Sequence, residues 1–115
     1  MSALSAKFAL LWKAYKGPEL IAEHKFHPTR KWRFDWAMKQ GRCAVEIDGG
    51  VFIRGRHSRG AGMMKDAEKG RAACDLGWRV WHFTSACVTP AAVKQTVESF
   101  RLANAHPFQS KGLAK

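Results

Sequence analysis

The chain reads as an α/β domain built on a mixed sheet of about four strands flanked by helices. Three observations predict this. Apolar residues recur at helical spacing near both ends and alternate along the middle. Gly and Pro fall between these segments and divide them into elements ordered α, β, β, β, α, β, α. An apolar content of 46%, with five Trp and seven Phe, is enough to build a core and too high for a disordered segment.

The first helix covers residues 5–15, where Phe8, Leu11, Trp12 and Tyr15 lie at i, i+3, i+4 and i+7. Gly17-Pro18 ends it. Residues 20–26 are extended, and 27–30 (HPTR) form a loop. Over 31–39 the residues alternate. Trp32, Phe34, Trp36 and Met38 share one parity, and Lys31, Arg33, Asp35, Ala37 and Lys39 the other, so a half-buried strand is expected. Gln40-Gly41 makes a tight turn into a second strand, 42–48, with Cys43, Val45 and Ile47 on one face. Residues 49–62, GGVFIRGRHSRGAG, form a basic glycine-rich loop with room for a short extended piece at 51–53. A helix follows over 63–76, and Gly77 suits its C′ position. Residues 78–83 return to a strand, and Thr89-Pro90 caps and opens a last helix running to about Ala103.

With 115 residues, one domain over 1–105 is expected, followed by a flexible tail at 106–115. No stretch approaches the roughly 20 apolar residues that span a bilayer. The N-terminal apolar run is broken by Lys7 and Lys13 and reads as a helix, not a signal peptide. Cys43, Cys74 and Cys87 are odd in number and lack CxxC spacing, which argues for reduced thiols, a cytoplasmic setting and neither a disulfide framework nor a zinc finger. Cys43 and Cys74 are expected to pack inside. His24, His27, His82 and His106 have no zinc-type spacing and are assigned no role. The net charge of +11 favours a polyanionic partner.

Against that charge, acidic residues are scarce, nine against twenty Lys and Arg, yet AVEIDGG places two of them one residue apart in an apolar run. A two-residue turn at Gln40-Gly41 pairs Lys39 with Arg42. The same register sets Asp35 opposite Glu46 and Arg33 opposite Asp48. Cross-strand partners have Cβ atoms about 4.5–5.5 Å apart, where like charges repel. A shared proton, a neighbouring Lys or Arg, or a bound cation offsets such repulsion. Oxygen ligands favour Mg²⁺, which can supply a hydroxide and stabilise charge on a phosphodiester. The competing reading is three solvated acids on the polar face of a hairpin.

RFDWAMKQGRCAVEIDGG, followed by GRHSRG and KDAEKGRAACDLGWRVWHFT, resembles the small phage and bacterial endonuclease-like proteins of the PD-(D/E)XK superfamily, in the branch that includes the very short patch repair endonuclease. The likeness spans about residues 23–84. It implies a restriction-endonuclease-like core in which Asp35 and Glu46 bind Mg²⁺ or Mn²⁺, with the Ile47 carbonyl as a third ligand. The chain departs from the full motif at Asp48, where members carry a Lys that positions or activates water. Asp48 is then a supporting acid, an extra metal ligand or a partner for Arg33. The basic role passes to His57 or Lys69.

Asp66 and Lys69 lie at i, i+3 on the helix after the basic loop, as a surface ion pair or as Lys69 oriented into the site by Asp66. Glu23 is an exposed strand residue or a further carboxylate. Arg30, Lys31, Arg33, Arg54, Arg56 and Arg59 are the expected backbone-phosphate contacts, giving largely sequence-independent affinity. The aromatic stripe and Trp78, Trp81 and Phe83 are expected in the core. The function expected from all this is a metal-dependent DNA endonuclease reading a nick, flap, junction or mismatch. It acts as a homodimer or with a specificity-giving partner where the domain itself does not read structure. The alternative is a non-catalytic nucleic-acid-binding module that keeps the fold.

Overall fold

A computed structural model describes residues 2–48 and 61–105, with residues 61–66 described as backbone only. The elements are α1 (Ala3–Ala14), β1 (Ile21–Lys25), β2 (Arg33–Met38), β3 (Cys43–Ile47), α2 (Ala61–Asp75), β4 (Arg79–Phe83) and α3 (Pro90–Ala105). This is the expected order. The basic loop at 49–60, including the extended piece at 51–53 and the side chains of Arg54, Arg56, His57 and Arg59, lies outside the described residues, as do the Asp66 side chain and the tail at 106–115.

Local chemistry sets the helix ends. Ser2 Oγ accepts the Ser5 N–H and starts α1 at Ala3, two residues ahead of the expected boundary. Its end is closed by a contact between Gly17 and Trp12: a Cβ at Gly17 would stand 2.3 Å from the indole nitrogen. That same nitrogen donates to the Pro18 carbonyl at 2.8 Å. At the end of α2, Gly77 has φ +81, its N–H reaches the Cys74 carbonyl and the Trp78 N–H reaches that of Ala73. This double closure is the Schellman arrangement that calls for glycine at C′. Thr89 caps α3, its hydroxyl accepting the Ala92 N–H at 3.2 Å.

The sheet runs β1-β2-β3-β4, antiparallel between β1, β2 and β3 and parallel between β3 and β4. Trp36↔Val45, Ala37↔Ala44 and Met38↔Cys43 reproduce the expected hairpin register. One face of the sheet meets α1 and α3. There Phe8, Trp12, Met38, Val45, Phe83 and Phe100 belong to one buried cluster. The other face meets α2, where Phe34, Ala37, Ala44 and Ala73 form a smaller one, edged by Phe26, Trp78 and Val80.

The alternation expected along β2 slips. Phe34 packs beneath α2 while Trp36 and Met38 join the opposite cluster, and Ala37, expected on the polar face, is fully buried. The cause lies at Asp35. Its N–H is taken by the Glu46 side chain, and the β1 residue expected opposite it, Glu23, has φ +52 and is skipped by the β1–β2 register. An irregular residue in a ladder re-aims the side chains beyond it. Helices on both faces then bury both parities, so β2 is not a half-buried strand.

Among the cysteines, Cys43 is fully buried, as expected, but Cys74 is exposed. On α2 the inward position beside it belongs to Ala73. Trp78 lines an open cleft at the edge of the smaller cluster, whereas Trp81 packs against the larger and Phe83 is buried in it. No described helix is long and apolar enough to cross a membrane.

Candidate active site

Asp35 and Glu46 meet where the β2–β3 ladder gives way to side-chain bonding. Glu46 Oε2 accepts the Asp35 N–H at 2.9 Å, and Asp35 Oδ2 accepts the Ile47 N–H at 2.7 Å. Each carboxylate is thus fixed by a peptide group of the facing strand. The repulsion anticipated between two facing acids is relieved in this way and by a cation. Lys69, projecting from α2, donates to Glu46 Oε1 at 2.5 Å. The pair is mostly shielded, with side chains 21% (Lys69) and 15% (Glu46) exposed. Burial still outweighs the ammonium and the N–H donor, so the Glu46 carboxyl titrates above its ordinary range.

A second acid–base pair stands next to the first. Parallel pairing sets Glu46 beside His82, and Asp48, two residues on, accepts or shares a proton with His82 Nδ1 at 2.7 Å. The Asp48 contact raises the His82 pKa above its usual value, against a smaller opposing effect of burial. Asp48 itself is anchored by its N–H on the Phe83 carbonyl. The position expected to carry a motif lysine thus holds an acid that orients a histidine.

These groups line one end of a cleft of about 480 Å³ between α2 and the sheet. Glu46, Asp48, Lys69, His82 and Thr84 form its polar end, and Phe34, Ala73, Trp78 and Val80 its apolar part. Asp35 opens instead onto a separate hollow with Ser2, Ser5, Glu23 and Trp36. The slip at Asp35 is what turns the two carboxylates toward different sides of the sheet.

The remaining expected site residues fall as follows. Lys69 reaches Glu46 directly; His57 lies outside the described residues, as do Arg54, Arg56, Arg59 and the Asp66 side chain. Arg33 does not partner Asp48: its guanidinium lies 3.9 Å from Glu23, while Asp48 is engaged by His82. The reason is the β1–β2 pairing, which holds Arg33 at the outer strand opposite Lys25. Glu23 shares the hollow of Asp35 but is paired with Arg33. Arg30 lies over the Trp32 ring at 4.0 Å and 3.6 Å from Glu68 of α2, and Lys31 is exposed. His27 has a structural part, its Nδ1 accepting the Arg30 N–H at 3.0 Å within the β1–β2 loop. His82 is the candidate site residue that spacing missed. Its link to Glu46 exists only through the parallel β3–β4 pairing, and the signal for it was a histidine on the same parity of β4 as Val80.

The donor set at Asp35 and Glu46 is all oxygen. Asp35 Oδ1 accepts no hydrogen bond among the described residues, and each Glu46 oxygen keeps a second lone pair beside its one donor. Mg²⁺ takes one or two carboxylates and completes its shell with water and phosphate oxygens, but Asp35 and Glu46 open onto different sides of the sheet and do not fit it as a joint pair; the carboxylates that share one cleft are Glu46 and Asp48. Among the described residues no group of three or more His, Cys, Asp and Glu forms a closed cage for a metal. Comparison with protein-family models, curated proteins and solved structures yields no match.

Proposed function

We propose that this chain is a metal-dependent DNA endonuclease with a restriction-endonuclease-like core. The observation that carries the reading is the direct contact of Lys69 with Glu46, with Asp48 in the same cleft, in a protein of net charge +11. Two carboxylates with a basic residue within hydrogen-bond reach suit phosphodiester hydrolysis. The lysine missing from β3 is replaced from α2.

In this reading Glu46 and Asp48, which line the same cleft, would hold the metal with the Ile47 carbonyl as a further oxygen donor, while Asp35, open to the other side, would fix the strand end through the Ile47 N–H. A bound Mg²⁺ or Mn²⁺ supplies charge stabilisation at the phosphate and an acidified water. Lys69 binds a non-bridging phosphate oxygen or orients the attacking water, its position set by Glu46 and by the Phe34 ring 5.7 Å from its ammonium. Arg30, Lys31 and Arg33, exposed around the β1–β2 loop, and the arginines of the basic loop bind the backbone. Partial screening by salt should weaken this binding steeply.

The test is incubation of purified protein with plasmid or branched DNA, with and without Mg²⁺ or Mn²⁺. Cleavage that requires metal and disappears in Glu46→Ala supports the assignment; cleavage unchanged in that variant overturns it. A second reading, a nucleic-acid-binding module without catalysis, is favoured by one feature: both Glu46 oxygens are already engaged, by Lys69 and the Asp35 N–H. Tight DNA binding with no cleavage under any divalent metal selects that module.

A further inference from the structure

We propose that the cleft beneath α2 receives an unpaired nucleobase, so that the preferred polynucleotide carries an extrahelical or single-stranded base beside the phosphate held at the polar end. That this polynucleotide is also cleaved rests on the nuclease reading; the base pocket itself does not.

The cleft is graded along its length. Lys69 and Ala73 are one helical turn apart on α2, about 5–6 Å, and Val80 and His82 are two residues apart on β4, about 6–7 Å. The polar and apolar groups are therefore separated by about the span of a nucleoside. Lys69 and His82, each already paired with a carboxylate, offer their remaining donors at one end, where the Thr84 hydroxyl, donating to Cys87 Sγ, keeps acceptor capacity for a sugar hydroxyl. At the other end the half-buried Trp78 presents aromatic surface, its ring 5.0 Å from that of the buried Phe34 beneath it. Phe34 is backed by Phe26, stacked at 4.0 Å and 7° between planes, which holds its ring in place. Planar bases stack on such surfaces whatever their sequence.

Gly70 supplies an independent observation. It sits in the middle of α2 and lines the cleft. Among the described residues a Cβ built there meets no atom within 4 Å, and its φ is not in the left-handed region. No contact among the described residues and no backbone conformation therefore calls for glycine, although mid-helix glycine weakens a helix relative to alanine. What its missing side chain does leave is open space along the cleft wall, as close approach of a ligand to backbone requires. The overall charge of +11 makes that ligand part of a polyanion. A base inside a duplex cannot enter a cleft of this kind without leaving its stack, so an already unpaired base is favoured.

The test is a binding experiment in EDTA, where cleavage plays no part. Two otherwise identical labelled duplexes are compared by fluorescence anisotropy, one fully matched and one with a single unpaired 2-aminopurine, whose own emission is also followed. The unpaired-base duplex should bind about tenfold tighter, the scale of one stacked base, with 2-aminopurine emission quenched. In Gly70→Phe, which sets a bulky side chain at the cleft wall, the two duplexes should bind alike. Trp78→Leu should also reduce the preference. Equal binding of both duplexes by the unaltered protein, or a preference that survives in Gly70→Phe, overturns the pocket. Cleavage in Mg²⁺ is scored separately. Preference without cleavage removes the nuclease reading and keeps the pocket, and cleavage with no preference does the reverse.

Discussion

The two faces of the sheet differ in what they bury. Toward α1 and α3 the contact is sealed: Phe8, Val88, Val93 and Phe100 have no exposure, and the residues joining them from β2, β3 and β4 are apolar. Toward α2 the buried cluster of described residues consists of Phe34 and three alanines, and beside it lies a cleft with two acid–base pairs. Small side chains on one side and charged ones on the other keep α2 from closing on the sheet. Stability is concentrated on the first face, and the space for chemistry lies on the second.

The sharpest way to break that division is Phe100→Ala. It empties a site packed against Trp12 and Trp81, with ring centroids 4.9 Å away in each case. A loss of about 3–5 kcal/mol is expected, read from the urea midpoint. On a fold this small, that approaches the whole margin of stability. A loss below about 1 kcal/mol would mean that the first face is not the stabilising one.

Gly70→Ala on the cleft side should move stability the other way, by about 0.5–1 kcal/mol, because a Cβ there meets open space and α2 gains helix propensity. Thermal melting measures it, and a lowered midpoint would show that the glycine has a packing role after all.

A smaller effect belongs to His82. Its folded-state pKa is raised by Asp48, so the pair's stabilising contribution is complete below the ordinary value of 6.5 and fades as pH rises through the higher folded value. His82→Asn should therefore cost more at mildly acidic pH than at mildly alkaline pH. The side chain is 62% exposed, so the difference belongs to the range of about 0.2–1 kcal/mol seen for exposed pairs and shrinks in high salt. Equal cost at both pH values would remove the ion pair from the account.

Least of all is expected from Glu46→Gln. Burial raises the folded-state pKa of Glu46, so its contribution is favourable below the ordinary value of 4.5 and is lost as pH rises through the folded value. At neutral pH an amide that retains the Asp35 N–H contact should leave stability about where it was, while the proposed cleavage disappears. A large loss of stability would recast Glu46 as a structural anchor.

Much of the architecture was legible in the chain. Helical spacing around Phe8 and Trp12, the Thr89-Pro90 cap and the turn at Gln40-Gly41 are local signals, and the turn alone carried the register that sets Asp35 against Glu46. Lys69 was legible as one of two basic candidates only through the family resemblance, not through a local pattern. Three things were not. The slip at Asp35 depends on a side chain of β3 capturing an N–H of β2, which reversed the expected side for Phe34. Cys74 turned outward because α2 presents Ala73 to the sheet. The Asp48–His82 pair needed β4 to lie parallel beside β3, across 34 residues of chain.

By itself the sequence determined the elements, their order, the hairpin register and the basic charge, since each follows from nearest-neighbour chemistry or composition. The tertiary structure decided which basic residue meets Glu46, what occupies Asp48, and which sheet face stays open. Those outcomes rest on contacts between strands and helices far apart in the chain, and no local pattern encodes a distance across a fold.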